Sequence, residues 1–354
     1  MEVIKIITIM LLVMPLLFST ASMASGDENN MGNLCEFPFV GMDAGGTVIN
    51  IVDEPRKIVT LAPSAAQTIW EIGGNEKVIG LTHYAKYLEG ASDREIISNI
   101  EGEIILEKVV LLEPDLIIAP SIVPERTVEK LRESGMIVYH SSEIKTIEDI
   151  IEETRLIGKL SGECEGAERI ADWMTMSLKN IAERTIGKDS PTAIYVFYGW
   201  TAGDETLIHE VIRKAGGKNS AKMMGISGYR QLNAELLVQE SPEWIILNSD
   251  EPEAAKNDEI LSLTRAAQEN RVIIIPVEYI NQPAPQIIIA IEELSNAFHP
   301  ERVVGRGENS AADRKMDKTY TGLSDKNQKI KFIAISALLI VIMVLIRNRQ
   351  NKEL

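Results

Sequence analysis

Short runs of Val, Ile and Leu recur along this chain, separated by longer stretches of helical periodicity, and this alternation constrains the fold more than any other feature. Strand-like runs cover 57–61, 78–81, 116–119, 137–139, 193–197, 244–247 and 272–275. Helical patterns cover 65–72, 124–134, 206–215 and 254–270. Runs that are apolar throughout, rather than at every second residue, need cover on both faces. A parallel sheet flanked by helices provides it. The expected fold class is α/β.

The alternation breaks between the fourth and fifth runs. Residues 147–185 show helical periodicity only, interrupted at Ser161-Gly162. The second part, 163–185, predicts a helix of about 35 Å, long enough to join two lobes as a strut. The halves on either side echo each other. Residues 106–118 and 234–246 each carry a Glu (Glu107, Glu235), an amphipathic turn or two, then a Pro (Pro114, Pro242), an acid and a buried strand. Pro stops the helix and turns the chain into the strand. Ile72-Gly73-Gly74 and Ala215-Gly216-Gly217 close helices in both halves. Their spacing suits left-handed helix caps and lacks the phosphate-loop pattern. Two lobes of similar construction follow, with one Glu in the same place on each.

The ends predict how the chain is delivered. An apolar run over 6–18 and the small residues Ser22 and Ala24 read as a signal peptide over 1–24. Residues 330–346 are apolar except for Lys331, cover about 25 Å at 1.5 Å per residue, and precede a basic tail over 347–354. This reads as a C-terminal transmembrane helix with the tail inside, making the protein single-pass in the cell membrane with its binding domain on the extracellular face. Between these ends the expected divisions are an extension and hairpin entry at 25–55, an N-terminal lobe at 56–145 and a helical connection at 146–186. A C-terminal lobe at 187–301 and a polar tether at 302–329 complete them. The net charge of -16 disfavours nucleic acid as a partner. The two cysteines, Cys35 and Cys164, permit at most one disulfide and lack metal-site spacing.

No enzyme constellation emerges. The four histidines, His83, His140, His209 and His299, are dispersed, and no nucleophile elbow is present. Ser64-Ala65-Ala66-Gln67 reads as a helix capping box. Ligands of open α/β sheets sit outside the carboxyl ends of the strands. Those ends bring Ser64, Tyr84, Ser121, Tyr198, Trp200 and Tyr279 forward, with Arg230 nearby. Aromatic faces with a few neutral polar groups suit a large, partly flat ligand. Arg126 and Arg230 are the only evident cations there.

Arg56-Lys57-Ile58-Val59-Thr60-Leu61-Ala62-Pro63-Ser64 with Ile72-Gly73-Gly74 resembles the opening of the helical-backbone binding proteins for cobalamin, haem and ferric siderophores. The hairpin entry from Gly41, Leu112-Glu113-Pro114-Asp115, Ala215-Gly216-Gly217-Lys218-Asn219, Pro283-Ala284-Pro285 and Phe298-His299-Pro300-Glu301 are likewise similar. The resemblance implies two Rossmann-like lobes joined by one rigid helix, a metal-chelate ligand between them, and delivery by a monomer to an ABC permease and its ATPase. It implies no resident cofactor. Glu107 and Glu235 match the acids with which that family engages its permease. Gln286 stands where siderophore-binding members carry Arg, and Tyr229 stands near a Trp of cobalamin-binding members. The corrinoid is thereby placed slightly ahead of haem and siderophore. A membrane-anchored sensor or store of the same fold, without a permease, is the alternative.

Overall fold

Each apolar run is followed by a helix, which forces the next strand to return parallel to the last. The computed structural model describes residues 35–248 and 260–300, and two parallel sheets organise them. Entry is by an antiparallel pair, β1 (Phe39–Met42) and β2 (Val48–Ile51). There follow β3 (Ile58–Thr60), α1 (Pro63–Ile72), β4 (Val78–Leu81), β5 (Glu95–Ile96), α2 (Leu106–Leu111), β6 (Leu116–Ala119), α3 (Glu125–Glu133) and β7 (Val138–His140). The first sheet runs β5-β4-β3-β6-β7 with every pair parallel. All four residues of β6 are buried, as double cover requires.

The connection is built from α4 (Ile147–Ser161) and α5 (Cys164–Thr185), which turn back on each other at Gly162. Beyond them lie β8 (Thr192–Val196), β9 (Trp200–Ala202), α6 (Leu207–Lys214), β10 (Lys218–Asn219), α7 (Ser220–Met223), β11 (Tyr229–Gln231) and α8 (Ala234–Glu240). The chain closes with β12 (Trp244–Leu247), α9 (Arg265–Gln268), β13 (Val272–Ile274), α10 (Val277–Ile280) and α11 (Ile287–Phe298). The second sheet runs β10-β8-β12-β13, again parallel, and β9 pairs antiparallel with β11 beside it. The edge strands β5 and β10 and the β9–β11 ribbon escape the sequence pattern because they are only two or three residues long. Of the helix expected over 254–270, α9 is described, while 249–259 lie outside the described residues.

Both helices of the connection feed both cores. In α4, Ile147, Ile150 and Ile151 pack with the second sheet, and Ile157 and Leu160 with the first. In α5, Ala167 belongs to the first core, and Ala171, Met174 and Ile181 to the second. The strut is therefore a helical hairpin rather than the single helix the resemblance implied. A Cβ on Gly166 would come 1.7 Å from the carbonyl oxygen of Ile72, so only glycine lets α5 lie against the end of α1. Cys35 and Cys164 form a disulfide with Cα atoms 5.5 Å apart, tying the entry segment to the start of α5.

The internal repeat has a structural counterpart. The Asp115 carboxylate accepts hydrogen bonds from the Arg56 and Lys57 amides, at 2.8 and 2.9 Å, at the entrance to β3. The Glu243 carboxylate accepts one from the Thr192 amide, at 3.1 Å, at the entrance to β8. In each lobe the acid after the Pro thus pins the neighbouring central strand. Gly73 (φ 96°) and Gly216 (φ 88°) both adopt the left-handed conformation after their helices, so the glycine pairs are helix stops.

Two expectations are corrected. Among the described residues no helix is long and apolar enough to cross a membrane; the longest, α5, carries charges at Glu165, Glu168, Arg169, Asp172, Lys179 and Glu183. The described residues form an α/β fold with two parallel sheets and no transmembrane helix among them, and the expected single-pass placement in the cell membrane is set aside. The segments 1–24, 302–329, 330–346 and 347–354 lie outside the described residues. The capping box at Ser64 also fails to form. The helix begins at Pro63, whose ring presets a helical φ at the first position, with Ala62 as its cap.

Candidate functional site

Strand order reverses about β3 in the first sheet, since β4 lies on one side of it and β6 on the other. Such a switch point opens a crevice between the two diverging connections. Here Pro63-Ser64 leave β3 and Pro120-Ser121 leave β6, and both segments line a cleft of about 180 Å³. Tyr84 from the end of β4 and Ser141-Ser142 from the end of β7 extend the same wall. Glu153 and Ile157 of α4 form part of the floor, while Val277, Asn281, Gln282 and Pro283 close it from the second lobe.

The wall is held firmly. The Tyr84 hydroxyl donates to the Ile100 carbonyl at 2.7 Å, leaving its ring to face the cleft, and burial pushes its pKa up to about 12. The Tyr139 hydroxyl donates to the Glu153 carboxylate at 2.9 Å. Burial raises the Glu153 pKa above the ordinary carboxylate range, against the opposing pull of hydrogen bonds from Tyr139 and Ser141. From the other lobe, Asn248 donates to the Tyr195 hydroxyl at 2.8 Å, and that hydroxyl donates to Asn281 Oδ1 at 2.9 Å. This relay fixes the Asn281 amide, whose Nδ2 is buried without a partner among the described residues.

A polar bridge ties the lobes beside the cleft. The Gln67 side chain of α1 donates to the Gln286 side-chain oxygen and to the Glu278 carbonyl, and Gln286 donates to Glu71. Gln67 and Gln286 are 0% and 6% exposed. The position where the resemblance set an Arg is thus filled by a neutral side chain engaged in interlobe packing.

Of the residues expected from the sequence, Ser64, Tyr84 and Ser121 come together in this cleft. Tyr198, Trp200, Tyr229, Arg230 and Tyr279 do not line it. Tyr198 sits at the turn between β8 and β9 and is 56% exposed. Trp200, Tyr229 and Arg230 belong to the β9–β11 ribbon. Tyr229 packs onto the second core, its hydroxyl pKa pushed up to about 12 by burial, and Arg230 lies exposed on β11. Tyr279 packs against the same core from α10. His83 and His140 also lie off the cleft lining, and Arg126 is exposed on α3. Glu153 and Asn281 were missed because neither follows a strand: one lies in mid-helix, the other after a short helix. Glu107 and Glu235 are exposed in the first turns of α2 and α8, the helices that precede β6 and β12.

Residues 58–294 match the model of a periplasmic binding protein family. A cobalamin-binding protein of Halobacterium salinarum is 34% identical over 277 residues, covering 75% of this chain and 75% of that protein. A vitamin B12-binding protein of Vibrio campbellii is 27% identical over 70% of this chain and 90% of its own length. Among solved structures, the apo haem-binding protein of Roseiflexus aligns with a TM-score of 0.63 at 21% identity, over 69% of this chain and 98% of that one. The vitamin B12-binding protein of Vibrio cholerae aligns with a TM-score of 0.60 at 23% identity, over 69% and 96%.

Proposed function

Because this chain belongs to the periplasmic binding protein family, we propose that it captures a corrinoid between its two lobes and hands it to an ABC import permease. The observation that carries the corrinoid is the chemistry of the cleft. Serine hydroxyls, the Asn281 and Gln282 amides and the Glu153 carboxyl supply its polarity, and Pro63, Tyr84, Ile122 and Ile144 its apolar area. These groups suit a large ligand whose rim is neutral and rich in amides. No Lys or Arg is among the described residues that line the cleft, so the carboxylates of haem or an anionic ferric siderophore meet no counter-charge there. The cobalamin-binding relatives support the same choice.

Glu107 and Glu235, at matching places on the two lobes, are proposed to seat one on each half of the permease by pairing with its cations. Interface charges of this kind govern encounter and register more than raw affinity. The test of the ligand is a titration of the purified protein with cyanocobalamin, haemin and a ferric hydroxamate siderophore, followed by tryptophan quenching and absorbance. Cyanocobalamin is expected to bind at least tenfold more tightly than the others. Tighter binding of haemin or the siderophore would overturn the reading.

A further inference from the structure

Charge is nearly absent from the cleft. Among the described residues that line it there is no Lys, Arg or His, and Glu153 is the one carboxyl. It is half-buried in mid-α4 and accepts a hydrogen bond from the Tyr139 hydroxyl of β7 at 2.9 Å. Tyr84 is the other titratable group of the lining, and its hydroxyl is committed to the Ile100 carbonyl. The charged groups on the elements packed around α4 have partners elsewhere. Glu168 and Asp172 of α5 face Arg155, Lys214 of α6 faces Glu148, Lys145 faces Glu143, and Glu71 of α1 accepts from the Gln286 amide. Glu278 of α10 lies off the lining. Burial penalises the ionised form of Glu153, so the carboxyl holds its proton more tightly than one in water. No cation of the lining offsets that penalty among the described residues, whereas a positive charge brought in by the ligand does. The oxidised cobalt at the centre of a corrinoid is such a charge.

We infer that Glu153 is the counter-charge for a cationic metal chelate: as the ligand enters, the Glu153 carboxyl gives up its proton to solvent, and the carboxylate left behind neutralises the bound positive charge. Tyr139, buried and off the lining, acts as a positioning residue, because its hydroxyl bonds the carboxylate and favours the ionised form. The inference rests on the corrinoid reading above and deepens it, since it makes the charge of the metal centre a recognised feature.

The experiment titrates the full chain with aquacyanocobinamide, which is cationic, and with dicyanocobinamide, which is neutral and has the same rim. Calorimetry in buffers of different ionisation enthalpy counts the protons released. Wild type is expected to prefer the cationic form, and the preference to grow about tenfold as pH rises from below the ordinary carboxylate range to above it. Where Glu153 is still protonated, the cationic form alone should expel a proton. Glu153→Gln keeps the shape and can still accept from Tyr139; it should bind both forms within about twofold of each other at every pH and release no proton. Tyr139→Phe withdraws a hydrogen bond that favours the ionised carboxyl, and should move the transition to higher pH, a change that loosened packing alone would not produce. Glu153→Gln carries the test by itself if Tyr139→Phe melts early. A preference for the cationic form that persists unchanged in Glu153→Gln, or equal binding of the two forms by wild type at every pH, overturns the counter-charge while leaving the corrinoid reading intact. Failure of wild type to bind either cobinamide overturns both.

Discussion

At the scale of single residues, Glu153 is the group whose behaviour departs furthest from a surface reading of the sequence. Between Glu152 and Thr154 in mid-helix it resembles any solvated helix acid on paper; only the fold shows that β7 delivers Tyr139 to it. A carboxyl whose pKa is raised on folding holds its proton more tightly in the native state. Its contribution to stability is complete below the unfolded-state value and is lost as pH rises through the raised one. Glu153→Gln is therefore expected to reduce the fall in thermal midpoint as pH rises from below the ordinary carboxylate range to above it. Identical pH profiles for variant and wild type would contradict this. Gly166 is a second case. Its Cβ would meet the Ile72 carbonyl at 1.7 Å, and overpacking of this kind costs about 1–3 kcal/mol. Gly166→Ala should lower the urea midpoint accordingly, and an unchanged midpoint would show that α1 and α5 can separate freely. Ser64, Tyr84 and Ser121 were legible because they follow strands. Asn281 was not, because its place in the lining depends on contacts with residues far apart in sequence.

Among elements, the strands were read most accurately, since their unbroken apolar runs report burial on both faces. Helix starts were read less well: Pro63 overrode the polar pattern that suggested a cap at Ser64. The strut was only half legible. Periodicity marked 147–185 as helical, but which cores each turn would meet is a tertiary fact. That α4 and α5 both reach the two cores makes the connection stiffer than one helix would be, because bending it must disturb packing in both. The disulfide at Cys35 secures the root of α5 from the entry side. Closing a loop across 129 residues is worth about 2–4 kcal/mol of stability. Reduction, or the double change Cys35→Ser with Cys164→Ser, should lower the denaturation midpoint by that amount without abolishing the fold. An equal midpoint for oxidised and reduced protein would contradict the assignment. The repeated helices α2 and α8 were legible because a Glu and a Pro recur at one spacing; that each following acid pins a strand entrance became visible only in the structure.

For the whole molecule, the two sheets, the hairpin and the Gln67–Gln286–Glu71 bridge restrain the relative motion of the lobes beside a cleft of about 180 Å³. The proposed docking concerns the outer surface instead. The paired change Glu107→Arg with Glu235→Arg is expected to abolish uptake by cells carrying the partner permease while changing ligand affinity less than twofold; uptake at wild-type rates would exclude the two acids from docking. The central claim is that one ligand is held by both lobes at once. Hydrogen–deuterium exchange with and without dicyanocobinamide tests it most directly. Protection is predicted at 62–65, 120–122 and 141–144 in the first lobe and, in the same complex, at 277–283 in the second. Protection confined to one lobe, or centred away from these segments, would contradict it.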